Sequence, residues 1–151
     1  MTDREKRIAT ATNMFVSGYN CAQSTAVSFC DLVAADETIL IKASAAFGGG
    51  VVRLREVCGV VSGMMIVFGL SQDDFTDFSI KEEKAKFYEG GQELIARFSA
   101  LNKTINCGEL LEVFDKNPLP EDRTGEYYKE HPCLKLVEDG VNILCDYFGM
   151  E

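Results

Sequence analysis

Val57-Cys-Gly-Val-Val-Ser-Gly-Met-Met-Ile-Val-Phe-Gly-Leu70 is the longest apolar run of the chain, and its reading decides the fold. It is interrupted by Ser62 and flanked by Arg55-Glu56 on one side and Gln72-Asp73-Asp74 on the other. Wound as an α-helix, fourteen residues span about 21 Å, short of the roughly 30 Å of hydrocarbon in a bilayer. The run therefore reads as a buried helix of a globular protein that is not membrane-inserted.

Working outward, the neighbouring segments are also helical in pattern. Asp3 to Val16 places Ile8, Ala11, Met14 and Phe15 at helical spacing, and Gly18 ends it. A second helix is predicted from Asn20 to about Ala35, and a third from a cap at Asp36 to near Phe47, where Gly48-Gly49-Gly50 breaks it. Beyond an acidic loop at Ser71 to Ser79, Ile80 to Thr104 is the longest pattern, with Phe87, Leu94, Ile95, Phe98 and Leu101 as its inner stripe. Gly90-Gly91 predicts either a kink or a close neighbour within it. A short helix follows from Cys107 to Phe114, then an irregular stretch from Asp115 to Tyr128, then a last helix from Pro132 to about Phe148. No useful length of strand-like alternation occurs. The sum is an all-α, compact bundle of about six or seven helices in a single domain over residues 1–151.

Composition narrows the function. Hydrophobic residues at 46% and charged residues at 26% fit a globular domain, and 24 acidic against 15 basic residues give a net charge of -9. Such a surface repels phosphate backbones, so no nucleic acid is expected as a partner. The single histidine, His131, excludes a three-histidine zinc enzyme and disfavours a Ser-His or Cys-His nucleophile pair. Asp73-Asp74 sits in an acidic loop where solvation, not hydrolysis, explains it. The first residues lack the unbroken apolar stretch of a secretory signal, so a cytoplasmic protein with reduced thiols is expected.

Six cysteines, at positions 21, 30, 58, 107, 133 and 145, carry the chemistry. None are spaced as CxxC, which removes zinc ribbons and thioredoxin-type motifs. Their placement relative to helix ends is more telling. Asn20-Cys21-Ala22-Gln23 and Asn106-Cys107-Gly108-Glu109 are both capping-box patterns that put a thiol in a first helical turn. Pro132 suits the first helical position, which makes Cys133 the second, and Cys58 lies near the start of the apolar helix. Free backbone N–H groups and the positive helix end predict lowered thiol pKa values at Cys21, Cys58, Cys107 and Cys133. Cys30 and Cys145 lack that support and read as small buried hydrophobes. Gly59 and Gly63 share one helix face, so a second backbone approaches there or a site opens there. Arg53 and Arg55 either steady a thiolate, bind an anion or are simply solvated.

In order along the chain, Gly18-Tyr-Asn-Cys21-Ala-Gln-Ser24, Phe47-Gly-Gly-Gly50, Cys58-Gly-Val-Val-Ser-Gly63, Cys107-Gly-Glu-Leu-Leu111 and His131-Pro-Cys133 with Leu136-Val137 resemble the redox-active family C_GCAxxG_C_C. The one departure is Val60, where the family's motif has Ala, which adds bulk beside Cys58 and removes no reactive group. Carried over, the resemblance implies that Cys21, Cys58, Cys107 and Cys133 are the family's four cysteines. It implies redox activity without a defined reaction, and family members resemble companions of membrane transporters.

Three functions remain open on these residues. Clustered cysteines would exchange thiol for disulfide or transfer electrons, as a thiol-based oxidoreductase with an unknown redox partner. Alternatively, Cys21, Cys58, Cys107 and Cys133 would hold zinc or an iron–sulfur cluster, although separations of 37, 49 and 26 residues lack the local pairing of most zinc sites. Or the chain is a non-catalytic helical module, a homodimer or a transporter's partner, with cysteines as packing.

Overall fold

The computed structural model describes residues 1–75 and 77–151, and of Lys129 and Glu130 the backbone. Among the described residues eight helices follow one another: α1 (Asp3–Val16), α2 (Cys21–Val27), α3 (Glu37–Ala45), α4 (Gly59–Leu70), α5 (Lys81–Asn102), α6 (Cys107–Leu111), α7 (Gly125–Glu130) and α8 (Cys133–Tyr147). The fold is all-α and compact, with no strand among the described residues; an isolated antiparallel bridge joins Val57 to Asn106. No helix among them is long and apolar enough to cross a membrane.

The apolar run forms α4, which packs against α2, α5 and α8 and is buried on several sides. Gly63 allows the α2 contact: a Cβ there would lie 2.8 Å from the Ala22 carbonyl oxygen and 2.9 Å from Thr25 Cβ. One position after Gly59 on α4, Val60 fills the space left by Gly140 of α8. The bulk at Val60 is thus absorbed by a glycine across the helix interface. α8 buries Leu136, Val137, Gly140, Val141 and Leu144, the spacing of a single helical stripe. α5 adds Leu94 and Phe98, and Gly90 seats the Phe68 ring without breaking the helix.

Several sequence expectations are corrected. Among the described residues there are eight helices where about six or seven were expected: the six-residue α7, capped by the Thr124 side chain, begins in the stretch read as irregular and is too short to show a period. The second helix stops at Val27, not Ala35, because the Ser28 hydroxyl bonds the Thr25 carbonyl and the next amides bond three residues back. A run of turns then ends at Ala34, whose φ of 50° prevents helix continuation. Leu101, assigned to the inner stripe of α5, is 60% exposed. α6 ends at Leu111, where Glu112 is left-handed.

Candidate functional site

At the start of α2 the capping box is complete. The Asn20 side chain accepts from the Gln23 amide at 2.9 Å, and the Gln23 side chain accepts from the Asn20 amide at 3.0 Å. The same two side chains donate to the carbonyls of Ala45 and Ile41, which ties the end of α3 to Cys21. The chain then enters a turn of unusual hand. Gly49, Gly50, Val51, Val52 and Arg53 have φ of 65°, 72°, 66°, 43° and 64°, and Arg55 has 62°. For β-branched valines this region is costly, and it persists here because amides of residues 52, 53, 55 and 56 bond carbonyls five or six residues earlier.

Leaving the turn, the chain pairs with the segment before α6. The Cys58 amide donates to the Ile105 carbonyl at 2.7 Å, and the Cys107 amide to the Glu56 carbonyl at 2.6 Å. Cys58 and Cys107 are thereby held on adjoining backbones. The second capping box is only half formed. Asn106 caps the Glu109 amide, but the Glu109 carboxylate accepts from Thr104, whose hydroxyl accepts from the Asn106 amide. Cys133 opens α8 as its first residue, with Pro132 outside as the cap, one position earlier than the sequence suggested.

These four elements meet at a largely enclosed cavity of about 50 Å³. Its wall includes Cys21, Cys58, Cys107 and Cys133, with Gly49, Arg55, Phe15 and Tyr127. Cys58 and Cys107 are buried, whereas Cys21 and Cys133 are partly exposed. Cys21 lies in electrostatic reach of each of the other three, and its sulfur occupies the place a side chain at Gly59 would need. All six cysteines are free thiols; Cys30 and Cys145 lie outside this cavity.

Arg55 supplies the positive charge. It is 7% exposed, its Nε donates to the Asp115 carbonyl at 2.9 Å, and its Nη1 approaches Cys107 Sγ at 3.8 Å. Among the described residues no carboxylate pairs with it. A buried guanidinium without a counter-charge is costly, and the Cys107 sulfur is the side-chain acceptor it approaches. Arg53 Nε donates to the Asn117 carbonyl at 2.6 Å, and Arg123 reaches the carbonyls of Phe15 and Tyr19. Three arginines therefore strap residues 112–124 across this side of the molecule.

The expected lowering of thiol pKa is overturned at three of the four positions. Burial pushes the Cys58 thiol well above its ordinary value, and the Val60 and Val61 amides at the start of α4 offset this only in part. Burial likewise raises Cys21 against the Gly49 amide, and pushes Cys133 up to about 12 against the Tyr127 hydroxyl. The helix-start amides are where the sequence put them, but desolvation of a thiolate outweighs a few partial charges. Tyr127, 4.2 Å from the His131 ring and stacked on it, was missed by the sequence reading, as was the Gly49 amide. Thr124 followed by Gly-Glu-Tyr127 was the only local signal for the former.

Four thiols are the donor type that zinc or an iron–sulfur cluster takes. As arranged, however, no three His, Cys, Asp or Glu side chains among the described residues are grouped to hold a metal ion.

The model of the family titled "Putative redox-active protein (C_GCAxxG_C_C)" matches residues 19–147, a span that contains all four cavity cysteines. No match was found among the curated proteins or among the solved structures. The chain belongs to the C_GCAxxG_C_C family.

Proposed function

We propose that the protein is a thiol-based oxidoreductase whose cavity cysteines cycle between dithiol and disulfide. The observation that carries this is the convergence of Cys21, Cys58, Cys107 and Cys133 on one small cavity, while Cys30 and Cys145 lie elsewhere. Cys107, beside the Arg55 guanidinium, is the attacking sulfur. Cys21, partly exposed and near the other three sulfurs, resolves it. Closing one disulfide removes two protons and two electrons from a pair of thiols, and an external dithiol returns them by exchange at Cys21, the partly exposed residue of the pair. Cys58 and Cys133 form the second pair on the same wall.

The test is oxidation of the reduced protein with diamide, which takes two hydrogen atoms per disulfide formed, followed by alkylation in denaturant and peptide mapping. The expected result is bonds confined to Cys21, Cys58, Cys107 and Cys133, unchanged when Cys30 and Cys145 are both replaced by Ser. Four thiols that remain alkylatable after diamide would overturn the reading. So would a stoichiometric metal on these sulfurs in protein purified without oxygen.

A further inference from the structure

Resting on that dithiol reading, we infer that the cavity selects a small hydroperoxide, hydrogen peroxide itself, as its oxidant. Size is the first argument. A water needs about 10–15 Å³ of such volume, so a cavity of about 50 Å³ admits a molecule of a few heavy atoms. Cofactor and drug-sized ligands occupy roughly 300–1,000 Å³, so a nicotinamide, a flavin or a peptide disulfide cannot lie within this cavity beside Cys107. The lining is the second argument. Phe15, Leu110, Leu111 and Leu136 make the wall apolar apart from the thiols, Arg55, the Gly49 amide and Tyr127. A charged oxidant would lose its hydration on entry, whereas a neutral peroxide loses little.

The third argument is the pairing of Arg55 with Cys107. The Nη1 group lies 3.8 Å from the sulfur. From there it would donate to the oxygen on which negative charge grows as the peroxide bond opens. The Cys107 thiolate attacks one peroxide oxygen, so an S–O bond forms and the O–O bond breaks. The departing hydroxide takes a proton and leaves as water, and Cys107 becomes a sulfenic acid. The Cys21 sulfur then attacks Cys107, the S–S bond forms, and the sulfenic oxygen leaves as a second water with the proton of Cys21. Two thiols and one peroxide give one disulfide and two waters, and an external dithiol restores the starting state.

Rapid-quench thiol counting and intact mass, with hydrogen peroxide, cumene hydroperoxide and diamide as parallel oxidants, test this. Hydrogen peroxide is expected to oxidise the protein about 100-fold or more faster than free cysteine at the same pH, the gain a preorganised donor supplies. Bulky cumene hydroperoxide should lose most of that advantage. In Cys21→Ser the intermediate should persist, and dimedone added together with the denaturing quench, which opens the cavity, should label Cys107. Arg55→Met should remove most of the acceleration, with Arg55→Lys restoring part of it; circular dichroism checks that both variants fold. If diamide closes the disulfide but hydrogen peroxide reacts no faster than with free cysteine, the oxidant is wrong and the dithiol reading stands. If cumene hydroperoxide keeps pace, size selection is wrong. If neither diamide nor peroxide closes a bond, both readings fall.

Discussion

Cys145 and Cys107 are both buried, and the two flanks of the molecule that hold them are built differently. Cys145 sits near the end of α8, which packs against the regular helices α1 and α2. It touches the solvent nowhere and belongs to the apolar core, outside the cavity that Cys21, Cys58, Cys107 and Cys133 line. Cys107 opens a five-residue helix between a left-handed turn and a strap, with an arginine facing its sulfur. Regular helices on one flank make the core. On the other, backbone that few sequences tolerate brings separated thiols together, in line with the strain that functional sites concentrate.

The largest effect that sharpens this contrast lies on the helical flank. Phe98 of α5 is fully buried, and Phe98→Ala should cost about 3–5 kcal/mol of stability, read from urea unfolding. Changes in the turn should cost far less. A loss as large from a turn substitution would mean that the two flanks share the work of holding the fold.

The next effect is alkaline and belongs to the thiol flank. Cys21, Cys58 and Cys133 have folded-state pKa values raised by burial, Cys133 to about 12. Between the free-thiol value and these raised values, the folded protein keeps protons that the unfolded chain has lost. Unfolding free energy therefore falls with rising pH, so stability is full below the ordinary thiol range and is lost as pH climbs towards about 12. Urea midpoints from pH 8 to 10.5 should show the fall, and Cys133→Ala should flatten it. A flat profile in the unsubstituted protein would mean that water reaches these sulfurs.

The contrast also explains what the sequence revealed. α1, α3, α4, α5 and α8 were legible because each is long enough for a helical period or bears a cap, as Asp36 does for the Ile39 amide. The helix-start positions of Cys21, Cys107 and Cys133 were legible because Asn20, Asn106 and Pro132 mark them. Their ionisation was not, because a cap is local whereas burial comes from Phe15, Leu136 and other residues far away in sequence. Nor was the left-handed hand of Val51 and Val52, which no propensity favours and only the bonds back to residues 46–50 enforce. α7 was lost because six residues show no period.

The smallest expected effect probes that turn directly. Val52 has a φ of 43° and is 57% exposed, so replacing it removes little packing. A left-handed L-residue costs roughly 1–2 kcal/mol, and glycine removes that cost while adding about 0.5–1 kcal/mol of unfolded-state entropy. Val52→Gly should therefore stabilise the protein by about 0.5–1 kcal/mol, seen as a higher urea midpoint at unchanged slope. The opposite sign would show that Val52 stabilises the fold through contacts that outweigh its backbone. If the variant is more stable and oxidises its thiols at the original rate, the turn serves only to carry Gly49 and Arg55 to the cavity. If it is more stable but slower, the valine stiffness itself holds the Arg55 guanidinium against Cys107, because a turn freed of its branched side chain samples other conformations and the 3.8 Å contact is lost for part of the time.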